Sequence, residues 1–144
     1  MAGGLARRVG RRLADIVVLD ASALIALLSS EDPHHDWAVQ MFIDTVAWKY
    51  QMTALNKAEA MFHPTRLGKL ESFLASLEGL RVEVAAIEDA DTAEISKIRA
   101  TTNLKMPDAL VLYQAEKVQG AIATTDNELA RVARSRSVGV FRPG

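Results

Sequence analysis

No cysteine occurs among the 144 residues. That excludes disulfides and zinc–thiolate sites, and it fits a reducing compartment. No apolar run approaches the roughly 18 to 20 residues of a membrane span, and the start of the chain lacks the continuous apolar segment of a secretory signal. A cytoplasmic protein away from membranes is the expectation. No internal repeat, Walker motif or HExxH motif is present, and no Gly-rich turn follows the first apolar run, which argues against a dinucleotide-binding enzyme. Histidine is scarce, with three residues. His34 and His35 fall in the first turn of an expected helix and His63 precedes a proline, so none is placed to act as a general base. Net charge is also small: −1 overall argues against a protein that holds nucleic acid by bulk charge alone.

What is present is enough apolar sequence, 49%, for one substantial core in a chain of common single-domain length. Residues 1–14 carry Arg7, Arg8, Arg11 and Arg12 and no acid, and read as a basic N-terminal arm. Set against the total of −1, those four arginines leave −5 on the rest of the chain. Residues 15–144 read as a single domain. The β-branched run IVVL (16–19) suits a strand covered on both faces. Further strands are expected at 51–55, 80–87, 121–125 and 138–141. Helices are expected after Asp20, from Asp32-Pro33 with Asp32 as N-cap, and from near Asn56 with a break or kink at His63-Pro64. A leucine stripe (Leu67, Leu70, Leu74, Leu77) marks another. More follow over 88–103, with Ala90, Ile95 and Ile98 inward, from Pro107-Asp108, and over NELARVAR. The alternation of strand and helix predicts an α/β fold: a three-layer α/β/α sandwich with a mostly parallel sheet of four or five strands.

Four acids mark the switches from apolar run to helix: Asp20 ends IVVLD, Glu59 follows QMTAL, Asp108 opens the helix after KMP, and Asp126 ends AIATTD. Taken singly, each has a local reading as a helix cap, and Thr125 with Glu128 spells a capping box. Taken together, they fall where open α/β folds build their sites, at the carboxyl ends of the strands. Two carboxylates ~4 Å apart repel by about 4 kcal/mol at an effective dielectric of 20. A hard divalent cation that prefers oxygen ligands relieves that repulsion, which points to a metal-dependent hydrolase. A receiver-like phosphoacceptor would want paired acids after the first strand and a lysine after the last, and neither is present.

IVVLDASALIALL resembles the opening of a PIN domain, an apolar strand, an Asp and a hydroxyl residue two positions on, here Asp20 and Ser22. TALNKAEAMF is similar to the family's second acidic segment and supplies Glu59. MPDALVLYQAEKVQGAIATTDNEL is similar to its third and fourth, with Asp108 at the start of an apolar helix and Asp126 closing a Thr-x-Asp strand end. The likeness runs from about residue 16 to 142, and the compact length resembles the VapC-type toxins of toxin–antitoxin pairs. It implies a Mg²⁺-dependent endoribonuclease, with Mn²⁺ able to substitute, that forms a homodimer and is held by a small cognate antitoxin. By that resemblance Asp20, Glu59, Asp108 and Asp126 are catalytic, with Asp20, Asp108 and Asp126 on the metal. Ser22 and Thr124 would support the carboxylates, or bond local backbone instead. Glu128, where many relatives carry a further Asp, would be an outer ligand or a cap. Lys105, Arg131, Arg134 and the N-terminal arginines are the candidate RNA-binding cations. Trp37, Met41, Trp48 and Phe62 could line an antitoxin groove or the core. The alternative is a PIN-fold module that binds RNA or protein without catalysis.

Overall fold

The computed structural model describes residues 15–144, and the arm expected over 1–14 lies outside them. In chain order the elements are β1 (Ile16–Leu19), α1 (Ala21–Leu28), α2 (His35–Asp44), β2 (Lys49–Thr53), α3 (Ala54–Arg66), α4 (Leu70–Gly79), β3 (Val82–Ala85), a 3₁₀ turn (Asp89–Asp91), α5 (Thr92–Thr102), α6 (Met106–Val118), β4 (Ala121–Ala123), α7 (Asn127–Ser135) and β5 (Val140–Phe141). The five strands form one sheet in the order β3-β2-β1-β4-β5, every neighbouring pair parallel. β1 is central, and Val17, Val18 and Leu19 are fully buried, as its uniformly apolar run requires.

Alternation along the strands sends successive side chains to opposite faces. Val17 and Leu19 meet α1 to α4 through Leu24, Met41, Phe42, Phe73 and Leu77. Val18 and Ile122 meet α5 to α7 through Ile98, Leu112 and Leu129. Those two cores on either side of one sheet make the three expected layers. Burying a side chain of the Val or Leu class contributes about 1.5–3 kcal/mol, so a charged residue at Val18 would dismantle one whole layer. Among the described residues no helix is long and apolar enough to cross a membrane.

Several boundaries differ from expectation. β2 begins at Lys49, and Thr53, not Asn56, caps α3 by accepting the Asn56 N–H at 3.1 Å. Asp32 closes a turn by accepting the His34 N–H at 2.8 Å, and α2 starts only at His35. α3 runs through Pro64 to Arg66 instead of breaking there. On α4 the buried residues are Phe73 and Leu77 while Leu74 is exposed, and Leu67 lies before the helix, also exposed. Ahead of α5, Asp91 rather than Ala90 is enclosed: it accepts the Tyr113 hydroxyl at 2.5 Å, the Lys117 ammonium at 3.2 Å and the Glu88 N–H at 2.8 Å. Those donors hold its carboxyl down at about 2, with the Tyr113 bond the largest influence. Gly120 sits where α6 turns into β4 against the start of β1. A Cβ there would lie 2.7 Å from the Ile16 carbonyl oxygen, so any side chain forces the backbone to shift.

Candidate active site

Asp20 is the first residue beyond β1. Its N–H donates to the Ala123 carbonyl at 3.0 Å, which prolongs the β1–β4 ladder by one step and turns the side chain into the fold. Although it stands at the N-cap of α1, its carboxylate makes no capping bond. It instead accepts the Thr124 hydroxyl at 2.7 Å and the Ser22 hydroxyl at 2.8 Å, both on Oδ2. Thr124 Oγ1 in turn accepts the Asp126 N–H at 2.9 Å, and Ser22 Oγ accepts the Thr125 N–H at 3.0 Å. The two hydroxyls therefore orient the carboxylate and lace the loop after β1 to the loop after β4. Asp20 is 6% exposed. Burial pushes its carboxyl up, the two hydroxyls pull it partly back, and the charge of Asp126 raises it again.

The other three acids surround this buried one. Asp108 lies in the first turn of α6 and is half-buried, and no side-chain bond caps that helix. Burial, joined by the charges of Asp20, Asp126 and Glu59, pushes the Asp108 carboxyl up to about 6, opposed by the nearby Lys105. Glu59, in the second turn of α3, is raised by burial and by the charge of Asp20. Asp126 is exposed and caps α7, accepting the Leu129 N–H at 2.9 Å on Oδ1. Capping therefore accounts for Asp126 and for neither Asp20 nor Asp108. Four chain segments, following β1, β2 and β4 and opening α6, bring carboxylates into one mutually repelling field at the carboxyl edge of the sheet.

Asn56 holds three of those segments in place and carries no signal in the sequence, because its partners are 35 and 51 positions away. Its side chain is fully buried. Oδ1 accepts the N–H of Ala21, next to Asp20, at 3.0 Å. Nδ2 donates to the carbonyl of Pro107, next to Asp108, at 3.1 Å, and to Thr53 Oγ1 at 3.0 Å. Glu59 stands three residues further along the same helix. One amide thus links the loops that carry Asp20, Glu59 and Asp108.

The donor set is all oxygen and suits a hard cation. A buried carboxylate held by neutral donors, among other carboxylates, is the electrostatic complement of a divalent ion. As placed, no three acid or histidine side chains among the described residues converge closely enough to ligate one ion together. Mg²⁺ does not need that many, since it keeps several waters and binds through one or two carboxylates. The residues present therefore fit such an ion by charge and chemistry.

Glu128 is engaged by a cation instead. It pairs with Arg131 at 2.5 Å on the exposed surface of α7, and the capping box expected with Thr125 is replaced by Asp126 as the cap. Arg131 is thereby engaged, and Arg134 lies in the last turn of α7, at the opposite end from Asp126. Lys105, the N-cap of α6, is the candidate cation that acts on an acid of the site. Of the residues considered for a groove, Met41 is buried, Trp37 and Trp48 pack against the core, and Phe62 is 61% exposed.

Solved structures of other proteins share this architecture. A toxin–antitoxin complex from Klebsiella pneumoniae superposes with a TM-score of 0.65 at 20% identity, over 76% of this chain and 86% of that one. VapC20 of Mycobacterium tuberculosis, described as a sarcin–ricin loop cleaving toxin, gives 0.68 at 13% identity, over 81% and 94%. VapBC2 of Rickettsia felis, solved on a fragment of promoter DNA, gives 0.67 at 12% identity, over 88% and 98%. At such identities these likenesses establish the fold. No curated protein sequence matches the chain. The family model of the PIN domain matches residues 17–135, a span that holds all four acids and both supporting hydroxyls, and this chain belongs to the PIN domain family.

Proposed function

We propose that this protein is a metal-dependent endoribonuclease, the toxin of a type II toxin–antitoxin pair. The observation that carries the proposal is the convergence of four acids around a buried Asp20, where burial first and the neighbouring carboxylates second push Asp108 up to about 6. A fold does not need to maintain such a cost unless a cation offsets it. Asp20 and Asp108 would hold Mg²⁺ or Mn²⁺, with Asp126 reaching it directly or through water. When bound, the ion supplies Lewis acidity toward the phosphoryl oxygens and makes a water acidic enough to attack. Glu59, exposed at the rim, would orient an attacking water or help to hold a second ion. Ser22 and Thr124 keep the Asp20 carboxylate fixed, which limits the reorganisation the reaction demands. Lys105, beside Asp108, meets the incoming phosphodiester.

Two partners follow from the same reading. Ile25 and Leu28 on α1 and Phe62 on α3 leave apolar surface exposed on helices that pack together, a face suited to a helix of a small antitoxin. Leu55, Ile87, Ile95, Met106 and Leu110 line an apolar cleft of about 380 Å³ beside the N-terminus of α6. With Ile87 44% and Met106 40% exposed, that cleft is the face proposed for a second copy of the chain. That the Klebsiella and Rickettsia structures are of toxin–antitoxin assemblies supports the first assignment.

The deciding experiment is cleavage of labelled RNAs by the purified protein with Mn²⁺ or with EDTA. Fragments that form only with metal, and not with Asp108→Asn, are expected. Binding of RNA or of a protein without cleavage, together with no saturable metal-dependent rise in Tm, would make it a binding module of the same fold.

A further inference from the structure

We propose that Arg142, a residue outside the acidic set and outside the family motifs, holds a phosphate of the RNA strand as it enters the site. The inference rests on the nuclease reading above. β5 ends at Phe141, whose carbonyl accepts the Thr124 N–H at 3.1 Å, so Arg142 emerges level with the Thr124–Asp126 loop. The Phe141 ring is held edge-on against Trp48 at 5.5 Å, which anchors the backbone from which Arg142 projects. The guanidinium donates from an Nη to the side-chain oxygen of Asn127, the first residue of α7 and the neighbour of Asp126. The cation is thereby held next to Asp126, at the N-terminal end of α7, where the helix dipole favours a bound anion.

Five other cations are committed elsewhere. Arg131 pairs with Glu128, Arg136 with Glu116, Lys117 with Asp91 and Lys97 with Glu94. Arg99 donates through Nε to the Leu104 carbonyl. Arg142 makes no ion pair among the described residues, and its Nε is buried with no hydrogen-bond partner. A buried donor left unmatched is costly, and an arginine whose one bond goes to a neutral amide keeps its full charge for an anion. The planar fork suits two oxygens of one phosphate. An RNA strand approaching four carboxylates needs such a cation, because the acids alone repel its backbone. Lys105 serves the α6 side of the site and Arg142 the α7 side, so the strand would be held on both flanks of Asp20.

The test uses the whole protein and a fluorescein-labelled single-stranded RNA, with anisotropy in EDTA over a range of salt. Neutralising one phosphate contributes about 0.7 to the slope of log K against log salt for a single strand. Arg142→Gln is expected to weaken binding about five- to tenfold at 0.1 M salt and to lower that slope by about 0.7. In Mn²⁺ the same substitution should raise KM far more than it changes kcat. Arg142→Lys should restore the slope and part of the affinity, a rescue that a merely structural role would not produce. Arg136→Gln, which removes a cation tied to Glu116, should leave binding within twofold of the parent. A parent that cleaves, with an Arg142→Gln protein unchanged in both KM and salt slope, overturns this inference and spares the nuclease. An unchanged slope together with a lowered Tm also overturns it, by assigning Arg142 to the fold. A parent that neither binds nor cleaves RNA overturns both.

Discussion

Replacing Asp108 by Asn should make the metal-free protein more stable while abolishing its activity. The Asp108 carboxyl rises from an ordinary 3.8 to about 6 because burial and the charges of Asp20, Asp126 and Glu59 penalise its ionised form. A rise of two units corresponds to about 3 kcal/mol if nothing screens it. Asp108 is half-buried, so solvent screening reduces the expected effect to on the order of 1–2 kcal/mol. The sign follows from proton binding. Between the unfolded value of 3.8 and the folded value of about 6 the native state binds more protons than the unfolded one, so stability falls as pH rises through that window. Above it the penalty is complete, and below about 3.8 it is absent. Asn carries no such charge. In EDTA, Asp108→Asn should therefore melt about 3–6 °C above the parent at pH 8, with the gain shrinking as pH falls from 6 toward 4. Adding Mn²⁺ should reverse the order by stabilising the parent more than the variant, since a ligand that binds the native state adds to its stability. Thermal melts at pH 4, 6 and 8 with EDTA or Mn²⁺ make the comparison. A variant no more stable than the parent at pH 8 in EDTA, or a gain of the same size at every pH, would refute the account of a repulsive acidic centre.

Asn56→Ala should cost about 1–3 kcal/mol, because it leaves the Ala21 N–H beside Asp20 unmatched in the interior; urea denaturation measures it, and an unchanged stability would contradict its bracing role. Gly120→Ala should cost about 1–3 kcal/mol, since the added carbon meets a backbone oxygen that has little room to move, and a neutral result in the same assay would show that β1 shifts freely there. Met106→Glu should convert a dimer to a monomer in sedimentation or size-exclusion experiments with the melting curve little changed, and an unaltered dimer would remove the α5–α6 cleft as its interface. Asp91→Asn should lower Tm at neutral pH. The parent should lose the same stability as pH drops from about 4 toward 2, since a carboxyl held down at about 2 stabilises the fold only above that range.

Much of this molecule is legible in the chain because its parallel sheet is covered on both sides. A strand such as Ile16–Leu19 then has no polar face to confuse its pattern, and the central helix Met106–Val118 is apolar almost all round for the same reason. Reading fails where polar residues are satisfied at a distance. β2 starts two residues early because Tyr50 buries its ring and lodges its hydroxyl 2.7 Å from that of Thr45, while Gln51 meets Gln114 at 2.9 Å. Neither bond is visible as periodicity. The leucine stripe misleads because Phe73 joins Leu77 in the core and leaves Leu74 outside, while Leu67 ends the preceding helix. At the candidate site the acids stand out by type and placement. Their supports do not: Asn56 looks like any polar residue in a helix, and Arg142 like any basic residue near a strand end. Asp91 is hidden among neighbouring acids in EDADTAE, and only its contacts with Tyr113 and Lys117 set it apart.

The placement of β4 next to the central strand has a consequence for synthesis. While the ribosome is still short of residue 121, β1 has β2 on one flank and nothing on the other. Asp20, Glu59 and Asp108 already exist at that moment. Thr124, which clamps Asp20, and Asp126, which completes the ring of acids, are still unmade. A truncated or stalled product would carry most of the charge and none of the assembled site. The acidic centre is therefore completed only when β4 and the loop after it have joined the sheet.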